Sequence, residues 1–415
     1  MEKKLNILFI VSSFPTISET FIVNQIIYLI ESGHKIRVLS LKKNKTEIHP
    51  KIKEYQLLEK TEFINVSPYK KRLINFFILF FKANLKTKRL YLQTLNFFKY
   101  KRQALNLMIF YKMYAVSKFN LDFDIVHAHY GFNSEVYFEL KNCSWLENSK
   151  LLATFHGHDM KSSSLNKNRI RYKRLFDEDT MLTTNNEYGI SLLQKIRSNY
   201  KNIKILPVSL DTNYFYPSLI SQLSHQKTII LFCGRLIPVK APTLIVEIAN
   251  ILVNFEKITN LKFVLIGSGP EEIKVNELIR KYKLEAYIDL KGALNQDDVI
   301  YEMRKASIFV LPGITENNGR AETQGLVIQE AQAIGLPVIV SNAGGMKYGL
   351  IDLETGYILP EGDINAFAQR IKKLILDPQL ADNLGKKGRH YVVENFDSKI
   401  LGNRLLEIYK ELLSK

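Results

Sequence analysis

Two rhythms alternate along this chain. Short, nearly continuous apolar runs end in turn-forming or polar residues: LNILFIVSSF (5–14), KIRVLSL (35–41), DIVHAHYG (124–131) and LLATFHGHD (151–159) in the first half. TIILFCGRL (228–236), KFVLIGSGPEE (262–272), SIFVLPG (307–313), PVIV (337–340) and GYIL follow in the second. Such runs predict strands buried on both faces of a parallel sheet. Stretches with helical spacing lie between them: one runs to about Ser32 and is stopped by Gly33, another starts near Gln296, and a third is INAFAQRIKKLIL. Strand–helix alternation in both halves predicts two doubly wound parallel-sheet α/β (Rossmann-like) domains. SLISQLSHQ (218–226) is polar and without period, and reads as the linker. A last amphipathic helix follows Asp397.

Ligands of open α/β sheets bind at the carboxyl ends of the strands, so the residues there carry the candidate chemistry. ENNGRAETQGLVIQEAQAIGLPVIV (316–340) reads as loop, helix, Gly335 stop and strand. Leu326, Val327, Ala331 and Ile334 share one helical face at 3.6-residue spacing, and Glu330 falls in the middle of it. A carboxylate out of water is costly unless something donates hydrogen bonds to it. Glu322 lies near the helix start, where free N–H groups attract anions. The segment thus offers a phosphate cradle and two acceptors for sugar hydroxyls. Arg235 and Lys240, at a strand-to-helix loop, suit a diphosphate or are solvated charges. Gly267 and Gly269 allow close backbone approach.

In the first half, Ser18 and Glu19 face a ligand or cap the next helix. His127 and His129 share a strand face; with no carboxylate or cysteine cluster nearby, a structural or substrate-contact role suits them better than a metal. His156, with Gly157, His158 and Asp159 at a strand end, suits polar work near neutral pH.

Composition narrows the picture. A chain of 415 residues, 46% hydrophobic and 24% charged, suits two or three globular domains. Two distant cysteines, Cys143 and Cys233, exclude a disulfide framework and a cysteine-based zinc site, and fit a reducing compartment. MEKKLNILFIVSSF reads as a first strand rather than a signal peptide, and no uninterrupted apolar run reaches membrane-span length. A net charge of +17 favours polyanionic partners. Much of that charge interleaves with aromatics between residues 42 and 120, as in YKKRLINFFILFFK. This pattern suits basic amphipathic helices on an anionic membrane, or Phe76, Phe77, Phe80 and Phe81 packed on the sheet with solvated lysines. No nucleic-acid module is visible.

Taken together, GRL-x-x-x-K, I-G-x-G-P and Glu322-x7-Glu330 followed by a strand and Gly344-Gly345 resemble the donor-binding half of family 4 retaining glycosyltransferases. SSFPTISETFIVNQI, HAHYG and TFHGHD resemble the first half of the colanic acid and exopolysaccharide branch. The resemblance implies a GT-B fold: an acceptor domain over 1–217, a linker over 218–226, a nucleotide-sugar domain over 227–396, and a helix over 397–415 crossing back to the first domain. A central cleft would separate the domains.

The same resemblance implies residue roles. Arg235 and Lys240 would neutralise the donor diphosphate, so that no metal and no cofactor is needed. Glu330 would accept the ribose hydroxyls, and Glu322 those of the transferred sugar. Gly234, Gly267, Gly269, Gly292, Thr323, Gly325, Leu326 and Val327 would complete the donor site. His156 would line the reaction centre with Glu322, Arg235 and Lys240. Phe14, Ser18, Glu19, His129 and Asp159 would border the acceptor. The implied protein is cytoplasmic, peripheral at the inner membrane face, and transfers sugar to a glycan or lipid-linked glycan in surface polysaccharide synthesis.

Departures from the family pattern are Thr323 for glycine after the first Glu, Ala241 for glycine, Ser209 for glycine, and Met346-Lys347-Tyr348 after Gly344-Gly345. They bear on donor identity more than on reaction class. Two rivals are a nucleotide-sugar epimerase on the same fold and a basic binding protein with a degenerate site. The intact Arg235, Lys240, Glu322 and Glu330 argue against both.

Overall fold

The computed structural model describes residues 3–16, 19–44, 50–119, 121–161, 164–217 and 227–415. The predicted linker (218–226) and Ser18 lie outside these residues.

Thirteen described strands form two all-parallel sheets. The first contains β1 (Asn6–Val11), β2 (Lys35–Ser40), β3 (Thr61–Phe63), β4 (Ile125–His129), β5 (Lys150–Phe155), β6 (Met181–Thr184) and β7 (Ile203–Ile205), in the order 3-2-1-4-5-6-7. The second contains β8 (Thr228–Cys233), β9 (Leu261–Ile266), β10 (Ile288–Gly292), β11 (Ile308–Leu311), β12 (Val338–Ser341) and β13 (Gly356–Leu359), in the order 10-9-8-11-12-13. Strand order reverses beside β1 and β4, and again beside β8 and β11. These are the switch points where loops part and leave a crevice.

Apolar continuity is explained by burial on both faces. Leu8 and Ile10 point into one core of the first domain, while Ile7, Phe9 and Val11 point into another. The latter core is shared with the helix Thr20–Glu31 and with the C-terminal helix Ser398–Ser414, which contributes Leu401, Leu405, Ile408, Tyr409 and Leu412. That last helix therefore packs on the first domain. Its entry is pinned by Leu210, whose N–H donates to Phe396 O and whose carbonyl accepts from Ser398 N. Ser209 lies at the same crossing, 3.4 Å from Ser398 Oγ.

Three sequence expectations change. The run 42–120 also holds the short edge strand β3, too brief to show alternation. Of Phe76, Phe77, Phe80 and Phe81, only Phe76 is buried; Phe80 is partly buried, and Phe77 and Phe81 are exposed. Finally, Pro238–Phe255 is helical, and long and apolar enough to cross a membrane by length and composition. It nonetheless buries Ile245, Val246, Ile248, Ala249 and Leu252 in the core of the second domain.

Candidate functional site

The second sheet presents its charges at the β8 edge. After β8 the chain turns through Gly234 and Arg235 to a short 3-10 turn, Pro238–Lys240, and Ala241 adopts a left-handed conformation before Pro242 opens the next helix. Lys240 Nζ reaches Glu322 Oε2 at 2.7 Å, and Thr323 N donates to Glu322 Oε1 at 3.2 Å. Burial acts to raise the Glu322 carboxyl, but Lys240 and the Thr323 and Gln324 amides outweigh it and hold its pKa below the usual value. Arg235 is exposed and makes no ion pair among the described residues.

Glu330 behaves oppositely. Burial pushes its pKa up to about 7, and Lys240 only partly offsets this. No described residue donates a hydrogen bond to its carboxylate. Its position corrects the sequence reading, because Leu326, Val327 and Glu330 form the partly accessible stripe of Leu326–Ala333. The core side carries Ile328, Ala331 and Ile334, together with the buried amides Gln329 and Gln332. Glu330 therefore shares its face with the partly buried Leu326 and Val327, but that face is the more accessible side of the helix, with the carboxyl desolvated though the residue keeps some accessible surface.

The glycines have a different local cause from the one expected. A Cβ on Gly267 would fall 1.9 Å from Gly234 O, and one on Gly269 2.4 Å from Leu236 O. The close approach they permit is between the β8 and β9 loops, which also bond from Gly234 N to Ile266 O and from Leu236 N to Ser268 O, both at 3.0 Å. Gly292 accepts from Gly267 N at 2.8 Å and borders open space. Gly325 is left-handed and starts the Leu326–Ala333 helix.

The first sheet presents imidazoles. β4 and β5 pair with His129 beside Thr154, so His156, just past β5, lies over His129. The rings of His127 and His129 stack at 4.3 Å, and those of His129 and His156 at 5.3 Å. His129 Nδ1 and His156 Nε2 share a hydrogen bond of 3.0 Å. His127 bonds to Tyr409 Oη of the last helix at 2.8 Å and to Thr154 Oγ1 at 2.6 Å. Burial lowers all three pKa values, those of His127 and His156 to about 3, so the column is neutral.

Several residues assigned to the acceptor border are placed elsewhere. Phe14 is 2% exposed and packs in the core, and His129 is fully buried beneath His156. Asp159 is buried and accepts N–H bonds from Gly131, His156 and Gly157, so it clamps the loop rather than facing a ligand. Glu19 is partly accessible and accepts from Tyr130 Oη at 2.8 Å, beside the His156 ring.

The two edges meet. Thr323 Oγ1 donates to His156 O at 2.9 Å, and Asn186 Nδ2 donates to Thr323 O at 2.6 Å and Gly345 O at 3.3 Å. Gln324 pairs in both directions with the backbone of Val208. Asn186 and Gln324 were missed by the sequence reading. The signal for Asn186 was its place in TTNN, a polar cluster ending an apolar run.

Comparison with known proteins agrees with this fold. Residues 220–391 match the model of "Glycosyl transferases group 1". The putative colanic acid biosynthesis glycosyltransferase WcaL of Escherichia coli K12 is 26% identical over 97% of this chain and 99% of its own. The amylovoran biosynthesis glycosyltransferase AmsK of Erwinia amylovora is 24% identical over 98% of this chain and 100% of its own. Among solved structures, sucrose-phosphate synthase from Thermosynechococcus elongatus superposes with a TM-score of 0.72 at 18% identity, covering 99% of this chain and 100% of its own. Anabaena Alr3699/HepE, in complex with UDP and glucose, superposes with a TM-score of 0.70 at 15% identity, covering 98% of this chain and 100% of its own. Residues 220–391 thus match the glycosyl transferases group 1 family, and the chain is a glycosyltransferase with the two-domain GT-B architecture.

Proposed function

We propose that this enzyme transfers a sugar, with retention and without a metal, from a nucleotide-sugar to a glycan acceptor in exopolysaccharide, capsule or O-antigen synthesis. The observation that carries the reading is the Lys240–Glu322 pair at 2.7 Å, with Glu330 on the same edge and His156 across the domain boundary. A departing diphosphate needs cationic neutralisation, and Lys240 with the free Arg235 supplies it at the β8 loop. Glu322 is already held by Lys240 and Thr323 N, which suits orientation of sugar hydroxyls better than covalent attack. Catalysis then rests on positioning and charge stabilisation, with the leaving phosphate assisting attack on the same face. The names of WcaL and AmsK favour an extracellular polysaccharide as product, and the UDP complex of HepE makes a uridine donor the first to try.

The acceptor is proposed to be lipid-linked, and the enzyme peripheral at the cytoplasmic membrane face. Tyr69–Lys82 exposes Tyr69, Leu73, Phe77 and Phe81 at four-residue spacing, with Ile74 and Ile78 beside them. No Asp or Glu occurs between Glu62 and Asp122. An exposed apolar stripe in an acid-free basic stretch suits an anionic interface. Phe77→Ser with Phe81→Ser should release the protein from phosphatidylglycerol vesicles in a flotation assay; equal flotation of variant and wild type refutes this part.

The experiment for the whole reading is nucleoside diphosphate release from UDP-, GDP- and ADP-sugars, with and without lipid extract, using Glu330→Gln as control. One active donor, silenced in the variant, is the expected result. Silence across the panel together with absent nucleotide binding would refute it.

A further inference from the structure

The histidine column leaves two nitrogens without partners. His129 Nε2 and His156 Nδ1 are buried and make no hydrogen bond among the described residues. Between these rings lies the single shared bond of 3.0 Å, so one ring donates and the other accepts. Both imidazoles are neutral, since burial holds them uncharged, and each carries one proton.

Two arrangements satisfy this. In the first, His156 Nε2 donates to His129 Nδ1, which puts the proton of His129 on Nε2. That N–H is then sealed in a fully buried residue, stacked against Phe9 and His127, with nothing to accept it. In the second, His129 Nδ1 donates to His156 Nε2. His129 Nε2 becomes a bare lone pair in the core, and His156 carries its proton on Nδ1. Each arrangement leaves one unpaired N–H and one bare lone pair, and the N–H is the costlier to bury. The second arrangement puts that N–H on the one ring of the column whose residue keeps accessible surface, at the boundary with Thr323.

We infer that His129 is a positioning residue: it donates from Nδ1 to His156 and thereby fixes His156 as the Nδ1–H tautomer, a neutral donor to a substrate oxygen rather than a base. This rests on the reading of the domain boundary as the transfer site, but the tautomer itself does not. Further along the column, His127 is held separately by Tyr409 and Thr154 and does not compete for this bond. The side chain of Asn carries its polar atoms at about the place of imidazole Nδ1, whereas Phe keeps the ring and the burial without any nitrogen.

The test uses the full chain labelled with 15N-histidine. In the wild type, long-range 1H–15N correlation should show His156, assigned by its loss in His156→Gln, protonated at Nδ1; protonation at Nε2 overturns the inference. His129→Phe should remove the single fixed tautomer; an unchanged His156 signal also overturns it. With an active donor in hand, His129→Phe should lower kcat by about 10- to 100-fold, the range set by loss of the orienting partner of a metal-bound histidine. KM for the donor should stay near wild type and the thermal midpoint should be retained. His129→Asn should recover part of kcat. Equal rates in the Phe and Asn variants, or a loss that only follows thermal stability, would make His129 structural and refute the role. Inactivity of the wild type with the tautomer as inferred would count against the transfer reading and leave the His129–His156 assignment standing.

Discussion

The two sheet edges that meet at this site solve the same problem with opposite chemistry. The second domain brings charge: Lys240 and Glu322 compensate each other at 2.7 Å, Arg235 is left free, and Glu330 is desolvated until it titrates at about 7. The first domain brings no titrating charge near neutrality at His156, because its three histidines are buried and stacked. Under the proposed transfer the two edges would divide the labour. A nucleotide-sugar carries its charge on the diphosphate, so the cationic edge would address the leaving group. An uncharged edge can orient hydroxyls without adding charge beside a developing oxocarbenium-like centre.

The largest expected loss lies on the charged side. Lys240→Ala should lower kcat by about 10²- to 10³-fold, the cost of removing one preorganised stabiliser of transition-state charge. It also strands Glu322 half-buried and unpaired, so the thermal midpoint should fall as well. Lys240→Arg separates the effects, since it keeps the charge while altering reach. If His156→Ala cost more than Lys240→Ala in single-turnover rate, the division of labour would be wrong.

A middle-sized effect probes the seam between the edges. Gly157 has φ +109°, and a Cβ there would lie 2.3 Å from Thr323 Cγ2. Gly157→Ala should therefore suffer twice, through about 1–3 kcal/mol of backbone strain and through the clash across the boundary. Adding Thr323→Gly removes the clash and leaves the strain, so the double variant should regain part of the lost activity. No recovery would mean that the edges do not touch this way during turnover.

How much of this was legible depends on distance along the chain. Arg235 with Lys240, and Glu322 with Glu330, lie within single strand–loop–helix segments, where spacing carries the information. Even there the accessibility of the face carrying Glu330 was misread. Gln329 and Gln332 are buried, so apolar period cannot tell the core side of a helix wrapped on nearly all sides from its accessible stripe. The histidine column was not legible beyond the shared face of His127 and His129. Placing His156 over His129 requires the β4–β5 register, which no local pattern encodes. Asp159 looked like a ligand contact because an edge carboxylate and a loop clamp have the same sequence, and only the three N–H bonds distinguish them. Asn186 and Thr323 meet across 137 positions. Such a contact follows from two folded domains and from nothing shorter.

The smallest expected effect is a pH dependence, and it separates the two edges by which group titrates. A rate change near pH 7 in a site containing His156 would ordinarily be assigned to the imidazole, yet burial holds that ring neutral down to about 3. The group that titrates near 7 is Glu330. In the unfolded chain it loses its proton near 4.5, whereas the folded chain keeps it to about 7. Between those values the native state binds more protons, so Glu330 lowers stability progressively as pH rises through the window, and the penalty is constant above it. Glu330→Gln should remove that slope, so its thermal midpoint should gain on the wild type as pH rises from about 5 to 7.5. Hydroxyls donating to the carboxylate favour its ionised form, so KM for the donor should fall several-fold (about 3- to 10-fold) between pH 6 and 8 in the wild type and stay flat in Glu330→Gln. Asp159, pushed up to about 6 by burial against its N–H bonds, is the competing source, but it is enclosed in the loop and would alter stability rather than donor KM. A pH-dependent KM that persists in Glu330→Gln would move the titrating group to the first domain and erase the contrast between a charged and a neutral edge.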